Sequence, residues 1–372
     1  MSLYIHIPFC RKKCLYCGFY STTYDKNLAS DYIKAIEKEI DRLEGKFSTI
    51  YIGGGTPTVL ELDLLKSLLK KLHKHLLPGT EFTIEANPES LTKEKIKLFL
   101  NSGINRISVG IQSFNDAKLK KLSRIHDAKK AKEVVLLAFK NGFKNISIDL
   151  IFGVYGESLN DWQKELSVAA KLPIKHISCY GLTYERNTPL LSLLEQGKVQ
   201  KINDDTEARM YKTAMEFLPE NDFRQYEISN FAKKGFECRH NLSYWDNDEY
   251  FGLGASAVSY IDGRRSQNIL DIYEYTGRAI RGVSVIATSE KLSKRKSAGE
   301  TAAVKIRTST GIDLEWFKEK TGFDILETKR KSIEKMTEQG LLKYIKKNNN
   351  ISAVKLTKKG FIFCDIVSSQ LL

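Results

Sequence analysis

Three cysteines near the start of the chain are the residues best suited to carry chemistry. The segment YIHIPFCRKKCLYCGFY places Cys10, Cys14 and Cys17 in a C-x₃-C-x₂-C spacing. A structural zinc site normally takes four ligands, often as two separated pairs, and no partner pair follows here. Three thiolates on a cubane iron–sulfur cluster leave one iron open to a small molecule. The spacing therefore favours a 4Fe–4S cluster with an open iron over zinc or three unrelated cysteines.

The bulk composition is that of an ordinary globular protein. Of the 372 residues, 42% are hydrophobic and 28% are charged, and no run approaches the about 18 apolar residues of a membrane span. The start MSLYIHIPFC lacks the basic beginning and long apolar core of a secretory signal, so we expect a cytoplasmic protein. Thiols stay reduced in that compartment, which favours ligand or core roles for the six cysteines over disulfides.

Short β-branched runs alternate with amphipathic helices over the first half of the chain. The runs begin near residues 3, 49, 81, 106, 145 and 175. Six successive βα units predict an α/β fold, in which a parallel sheet covered by helices curls into a partial (β/α)6 barrel. Functional groups in such folds gather at the C-terminal ends of the strands. The residues that fall at or near these predicted ends are Gly53, Glu85, Gln112 and Asp149.

The βα rhythm ends near residue 185, and the remaining chain has a different pattern. We predict a core at 1–230, an α+β extension at 231–287 that contains HNLSYW, and a small winged-helix-like domain at 288–372. From Lys291 to Lys359 the chain carries 18 Lys and Arg against 8 Asp and Glu. This surplus suits an anionic partner such as nucleic acid or a propionate-bearing ligand. A solvated, lysine-rich surface explains it equally well.

Other residues with suitable chemistry follow the predicted strands. The glycines of GGGTP allow a ligand to approach the backbone closely, and Thr56 adds a hydroxyl group. Glu85 can accept two hydrogen bonds from a diol, and Arg124 can pair with a carboxylate. Asp149 is a charge within an apolar strand, which is costly unless the carboxylate is paired. Taken singly, each residue is as compatible with a cap, a turn or a surface ion pair.

The cysteine spacing, with an aromatic residue just before the third cysteine, resembles the signature of radical S-adenosylmethionine (SAM) enzymes. In that family the open iron chelates the amino and carboxylate groups of SAM, and an electron from the cluster cleaves the sulfonium to give a 5′-deoxyadenosyl radical. The opening YIHIPFC and the joint order of the motifs are similar to those of oxygen-independent coproporphyrinogen III oxidases. This resemblance implies SAM contacts at Tyr4, Tyr16, Gly54, Gly55, Thr56, Glu85, Gln112, Arg124 and Asp149.

Two departures favour the heme chaperone branch of that family over the oxidase itself. The oxidases carry a further cysteine two positions after the third, where this chain has Phe19. They also have a long N-terminal segment, whereas only nine residues precede Cys10 here. Two other positions differ from the family pattern. Tyr155 stands in place of a usual proline, and Val258 stands in place of a usual histidine.

The segment HNLSYW matches the H-N-x-x-Y-W signature of the heme chaperone branch. The resemblance implies heme binding, with His240 as an axial ligand to the iron. Tyr244 and Trp245 would offer aromatic faces, and Arg239 would meet the propionates. The alternative is a histidine that caps a loop beside aromatic residues that fill a domain junction. Cys238 is a candidate thiolate ligand or attachment point, although we favour a free core cysteine.

We therefore predict a heme chaperone-like radical SAM protein that binds a 4Fe–4S cluster, SAM and heme and passes heme to an acceptor protein. An electron donor such as a flavodoxin or ferredoxin is implied, and a membrane-associated acceptor is a candidate. One alternative is an active coproporphyrinogen oxidase, and another is nucleic-acid modification or binding. We disfavour both, and we assign no catalytic residue.

Overall fold

A twelve-stranded mixed sheet forms the centre of the computed structural model, which describes all 372 residues. Its six central strands are parallel and neighbour one another in chain order, as expected for successive βα units. We number them one to six, and their bounds are Ser2–Ile7, Phe47–Gly54, Leu76–Ala86, Arg106–Gln112, Asn145–Phe152 and His176–Gly181. All six predicted strands are present, and the predicted fold class is confirmed.

Helices connect the consecutive strands and cover the sheet. Their bounds are Lys26–Arg42, Leu62–Leu72, Lys93–Asn101, Asp116–Lys121, Ala128–Lys140 and Leu159–Ala170. Side chains cap several of them, as where Asp25 accepts from the Leu28 N–H. Later helices span Pro189–Glu195, Asp204–Glu220, Arg239–Trp245 and Ile272–Arg281. None of the helices combines the length and hydropathy that a membrane crossing requires.

The sheet continues beyond both of its parallel edges. Strand one pairs in parallel with a strand at Tyr250–Leu253, after which antiparallel strands follow at Val258–Ile261, Arg264–Asn268 and Ile286–Lys291. Strand six pairs with antiparallel strands at Asn230–Ala232 and Arg224–Gln225. Within the segment RQYEIS, only the first two residues form a strand. The HNLSYW helix lies in the connection between these two edges.

The largest hydrophobic core lies between the sheet and its helices. It contains 57 buried residues between Leu3 and Val285. Strand residues such as Ile5, Ile50 and Ile148 are fully buried because helices cover the parallel sheet. The β-branched runs of the sequence are the direct consequence of this burial.

The C-terminal part has its own core of 15 buried residues between Ala298 and Leu371. Its helices span Lys294–Lys305, Leu314–Thr321, Ile325–Thr328, Arg330–Glu338, Lys358–Ile362 and Cys364–Leu371. A hairpin of Leu342–Lys347 and Asn350–Leu356 forms a three-stranded sheet with Ile312–Asp313. Helices followed by a hairpin agree with the predicted winged-helix-like pattern, while the exact domain boundaries stay a prediction.

Candidate functional site

The cysteine loop leaves the C-terminal end of strand one. A short parallel ladder between Phe9–Cys10 and Thr22–Thr23 closes the loop at its base. Cys10, Cys14 and Cys17 are half-buried free thiols, and burial raises the pKa of the Cys10 and Cys17 thiols. No three His, Cys, Asp or Glu side chains are arranged to hold a single metal ion. Cluster binding by the three thiolates therefore stays a prediction.

The glycine run at the end of strand two packs directly against the cysteine loop. A Cβ on Gly55 would lie 3.0 Å from the Cys10 sulfur, and the Thr56 hydroxyl lies 3.6 Å from the same atom. Gly54 has a φ of +114°, and a Cβ there would lie 2.6 Å from the His6 ring. Close approach therefore requires glycine at both positions. The predicted SAM-binding backbone and the predicted cluster ligands are in contact.

Glu85 lies at the end of strand three with both oxygens engaged. The Tyr51 hydroxyl donates to Oε1 at 2.8 Å, and the Gly54 N–H donates to Oε2 at 3.1 Å. Burial raises the pKa of the Glu85 carboxyl to about 7, and nearby Asp149 contributes to the rise. Each carboxylate oxygen still has a lone pair free to accept from a ligand hydroxyl.

Arg124 ties the cysteine loop to the strand ends. Its Nη1 donates to the Cys14 sulfur at 3.4 Å, and its Nη2 donates to Asn87 Oδ1 at 2.7 Å and to the Gly110 carbonyl at 2.8 Å. Its buried Nε has no partner. Asn87 in turn donates to the Thr56 hydroxyl at 2.8 Å. We missed Asn87 in the sequence, although its place in EANP after strand three was a usable signal.

Gln112 and Asp149 complete the row of strand ends. Gln112 has a φ of +69°, a conformation that non-glycine residues adopt mainly at turns or functional sites. Asp149 accepts a long hydrogen bond of 3.4 Å from Ser108, and burial raises the pKa of the Asp149 carboxyl. Tyr16 packs beside these ends, against the small apolar cluster around Ile151. The predicted cofactor residues thus lie along one edge of the barrel.

An aromatic cleft of about 420 Å³ opens beside the cysteine loop. Strand one contributes Tyr4 and His6 to it, and the Tyr4 hydroxyl and His6 Nδ1 are hydrogen-bonded at 2.9 Å. The cysteine loop contributes Phe19, and the HNLSYW helix contributes Tyr244 and Trp245. The cleft therefore brings together two motifs that are more than 200 residues apart in the sequence.

The remaining walls of the aromatic cleft come from the extension and the C-terminal part. Val258 and Arg265 line it together with Val304. Arg265 forms a bidentate ion pair with Glu300, at 2.8 Å for each nitrogen. Arg239, the arginine that we expected near the propionates, does not line this cleft and instead donates to backbone carbonyls of strands two and three. A contact between Arg239 and heme propionates therefore stays a prediction, and it would require those propionates to lie outside this cleft.

His240 is buried behind the aromatic cleft rather than facing it. Its Nδ1 is 2.8 Å from the Thr49 hydroxyl, its Nε2 is 2.9 Å from the Tyr244 hydroxyl, and its ring stacks on Tyr51. Burial lowers the pKa of the His240 imidazole to about 3, and Arg106 contributes to the fall. Both ring nitrogens are occupied, so iron ligation by His240 stays a prediction that requires one of these bonds to open.

The structure also places Cys238, Tyr155 and Phe19, which were singled out in the sequence. Cys238 is a fully buried free thiol, in line with the favoured core role. Tyr155 packs with Lys121, whose ammonium donates to the Tyr155 carbonyl at 2.7 Å and lies 5.1 Å from its ring. Phe19 is 71% exposed at the mouth of the aromatic cleft. Two family departures, Phe19 and Val258, therefore fall on the same cleft.

Comparisons with known proteins agree with this geometry. The family model of the radical SAM superfamily matches residues 4–169, and the model of the HemN C-terminal domain matches residues 292–363. Among solved structures, coproporphyrinogen III oxidase (HemN) from Escherichia coli, a radical SAM enzyme, has a TM-score of 0.85 at 20% identity. That match covers 100% of this chain and 89% of the other. At that identity, the likeness shows the fold alone.

Curated relatives match the chain over nearly its full length. Heme chaperone HemW of Bacillus subtilis (strain 168) is 35% identical over 96% of both chains. Heme chaperone HemW of Lactococcus lactis is 35% identical over 97% of this chain and 94% of that protein. The Mycobacterium tuberculosis protein of the same name is 31% identical over 100% of this chain and 94% of its own length. The chain therefore belongs to the heme chaperone HemW family, within the radical SAM superfamily.

Proposed function

We propose that this protein binds a 4Fe–4S cluster and SAM at the strand ends and holds heme in the aromatic cleft for transfer to an acceptor protein. The observation that carries the proposal is the cleft itself, because Phe19 of the cysteine loop and Tyr244 and Trp245 of the HNLSYW helix line one volume. An electron donor such as a flavodoxin or ferredoxin belongs to the same proposal.

The residues at the strand ends suit the cluster and SAM. Cys10, Cys14 and Cys17 supply three thiolates, and a bound cluster with an open iron would supply an electron to SAM. The unpaired Nε of Arg124 leaves a donor for a carboxylate. Glu85 retains lone pairs for a ribose diol. These groups bind and orient the cofactor, and the glycine run keeps side chains out of the space beside the cysteines.

The aromatic cleft suits a flat, largely apolar ligand. Nine of its thirteen lining residues are hydrophobic, and most of the large ones are aromatic. Arg265 is the arginine at its wall, although Glu300 already neutralises it. Propionates in the cleft would therefore compete with Glu300 for the guanidinium. The iron would meet the pair formed by Tyr244 and His240, in which Tyr244 faces the cleft and His240 stands behind it.

Hemin titration of the anaerobically reconstituted protein tests this proposal. We expect a stoichiometric Soret band that is weakened by Phe19→Ala and unchanged by Tyr273→Ala. The two aromatic residues form a matched pair, because their exposures are 71% and 70% but only Phe19 lines the cleft. A protein without a stoichiometric Soret band, or one in which both variants behave alike, would contradict heme binding in this cleft.

A further inference from the structure

A second groove lies between the C-terminal hairpin and the barrel helix Asp204–Glu220. Its volume is about 310 Å³, and four cationic side chains line it, which are Arg224, Lys343, Lys355 and Lys358. Apolar side chains that include Met215, Leu356 and Phe361 line the rest. No acidic residue is present in the lining. We call this feature the basic groove, and it is distinct from the aromatic cleft.

The arrangement of the positive charges in the basic groove lowers the stability of the fold. Lys343 and Lys355 are directly opposite each other in the antiparallel hairpin, where like charges are destabilising. Burial and the nearby Lys343 both lower the pKa of the Lys355 ammonium. None of the four cations takes part in an ion pair. An acidic side chain beside these four cations would stabilise an ordinary solvated surface, but none lines the groove.

We propose that the basic groove is a binding site for a phosphate group. Four cations around one small volume suit a group with more than one negative charge, and arginine and lysine both bind phosphate oxygens. A volume of about 310 Å³ is at the small end of ligand pockets, so the groove fits a phosphoryl group with a compact apolar portion. The phosphate belongs either to a small phosphorylated molecule or to a nucleic-acid backbone.

The cations of the basic groove come from two different parts of the protein, so a bound phosphate would link these parts. Arg224 belongs to the edge of the main sheet, whereas Lys343 and Lys355 belong to the C-terminal hairpin. A phosphate held by all of them would join the two hydrophobic cores through one ion. Binding should therefore stabilise the whole chain against heat, and not only the C-terminal part.

Titration of the full-length protein with pyrophosphate, followed by calorimetry, tests the proposal. We expect saturable binding that is at least about tenfold weaker in the Lys343→Gln/Lys355→Gln double variant. The matched control is Lys346→Gln/Lys347→Gln. It removes two exposed charges from the strand that carries Lys343, at positions outside the groove. We also expect the first double variant, without ligand, to melt at a higher temperature than the wild type because the opposed charges are gone.

The alternatives have separate outcomes. A short single-stranded oligonucleotide that binds more tightly than pyrophosphate, with affinity that falls steeply with salt, assigns the phosphate to a nucleic-acid backbone. Pyrophosphate binding without oligonucleotide binding assigns it to a small molecule. The absence of saturable pyrophosphate and oligonucleotide binding, or equal loss in both double variants, would overturn the proposal and leave only a solvated basic surface.

Discussion

The cysteine loop and the HNLSYW helix border the same aromatic cleft, but their candidate iron ligands differ in exposure. Around the cysteine loop the thiols are half-buried, and the Arg124 Nε has no partner. In the HNLSYW helix, both His240 ring nitrogens are hydrogen-bonded and the residue is 1% exposed. At the cysteine loop, the half-buried thiols and the Arg124 Nε can therefore bind a cofactor without losing a strong hydrogen bond. In the HNLSYW helix, one of the two His240 hydrogen bonds must break before this histidine can bind iron.

Loss of a predicted cluster ligand is the change with the largest expected effect on this comparison. We expect Cys14→Ala to abolish stable cluster assembly, because two thiolates cannot replace three. Iron and sulfide content after anaerobic reconstitution measures this. Cys179→Ala is the matched control, since Cys179 is a buried free thiol remote in sequence from the loop. Wild-type iron content in the Cys14 variant would contradict the assignment of Cys14 as a ligand of the cluster.

A methyl group at Gly55 should damage the cofactor region next most strongly. The Cβ of Gly55→Ala would lie 2.8 Å from the Phe9 carbonyl and 3.0 Å from the Cys10 sulfur. We expect a loss of stability of about 1–3 kcal/mol, typical of overpacking, together with slower cluster assembly. Gly277→Ala is the control, because its Cβ would meet only the flexible end of Arg281. Equal thermal unfolding curves for the two variants would show that close approach does not constrain the loop.

The buried His240 should make stability fall in acid. The pKa of its imidazole is about 3 in the folded chain against an ordinary value of 6.5, so the unfolded chain binds more protons between these values. Lowering the pH from 6.5 towards 3 therefore favours unfolding through this residue, by about 1.4 kcal/mol for each pH unit. His240→Gln should flatten this part of the pH profile of chemical denaturation. An unchanged slope would mean that the histidine is protonated or solvated in the folded protein.

Removal of the Tyr244 hydroxyl should have the smallest effect on stability but should resolve the role of His240. Tyr244→Phe leaves His240 Nε2 without its 2.9 Å partner, and the loss of this part-buried hydrogen bond should cost about 0.5–1.5 kcal/mol. If His240 is the axial ligand, the freed nitrogen should keep or strengthen the coordinated-heme spectrum, while His240→Ala should lose it. Loss of coordination in Tyr244→Phe, with retention in His240→Ala, would instead assign the iron to the phenol oxygen.

The sequence was sufficient for the barrel and the cysteine loop, but not for the walls of the aromatic cleft. Strands covered by helices place an apolar residue at every second position, as Leu3, Ile5 and Ile7 do in strand one. A cluster loop requires its cysteine spacing, so both leave a local pattern. Arg265 lies in the polar strand RRSQN, which has no such pattern, and its place in the cleft depends on tertiary packing. The burial of His240 was equally hidden, because Thr49, whose hydroxyl is hydrogen-bonded to its Nδ1, is distant in the sequence.

The central claim is that the aromatic cleft holds heme beside the cysteine loop, whose thiolates bind the iron–sulfur cluster. Electron paramagnetic resonance of the reduced protein without SAM, before and after addition of manganese protoporphyrin, tests it most directly. Manganese stays paramagnetic when the reduced cluster passes an electron to it, and a nearby paramagnet speeds relaxation of the cluster signal. We predict faster relaxation at one equivalent of manganese protoporphyrin, reduced in Phe19→Ala and retained in Tyr273→Ala. Stoichiometric binding of this heme analogue with unchanged relaxation of the cluster would contradict a heme site beside the cysteine loop.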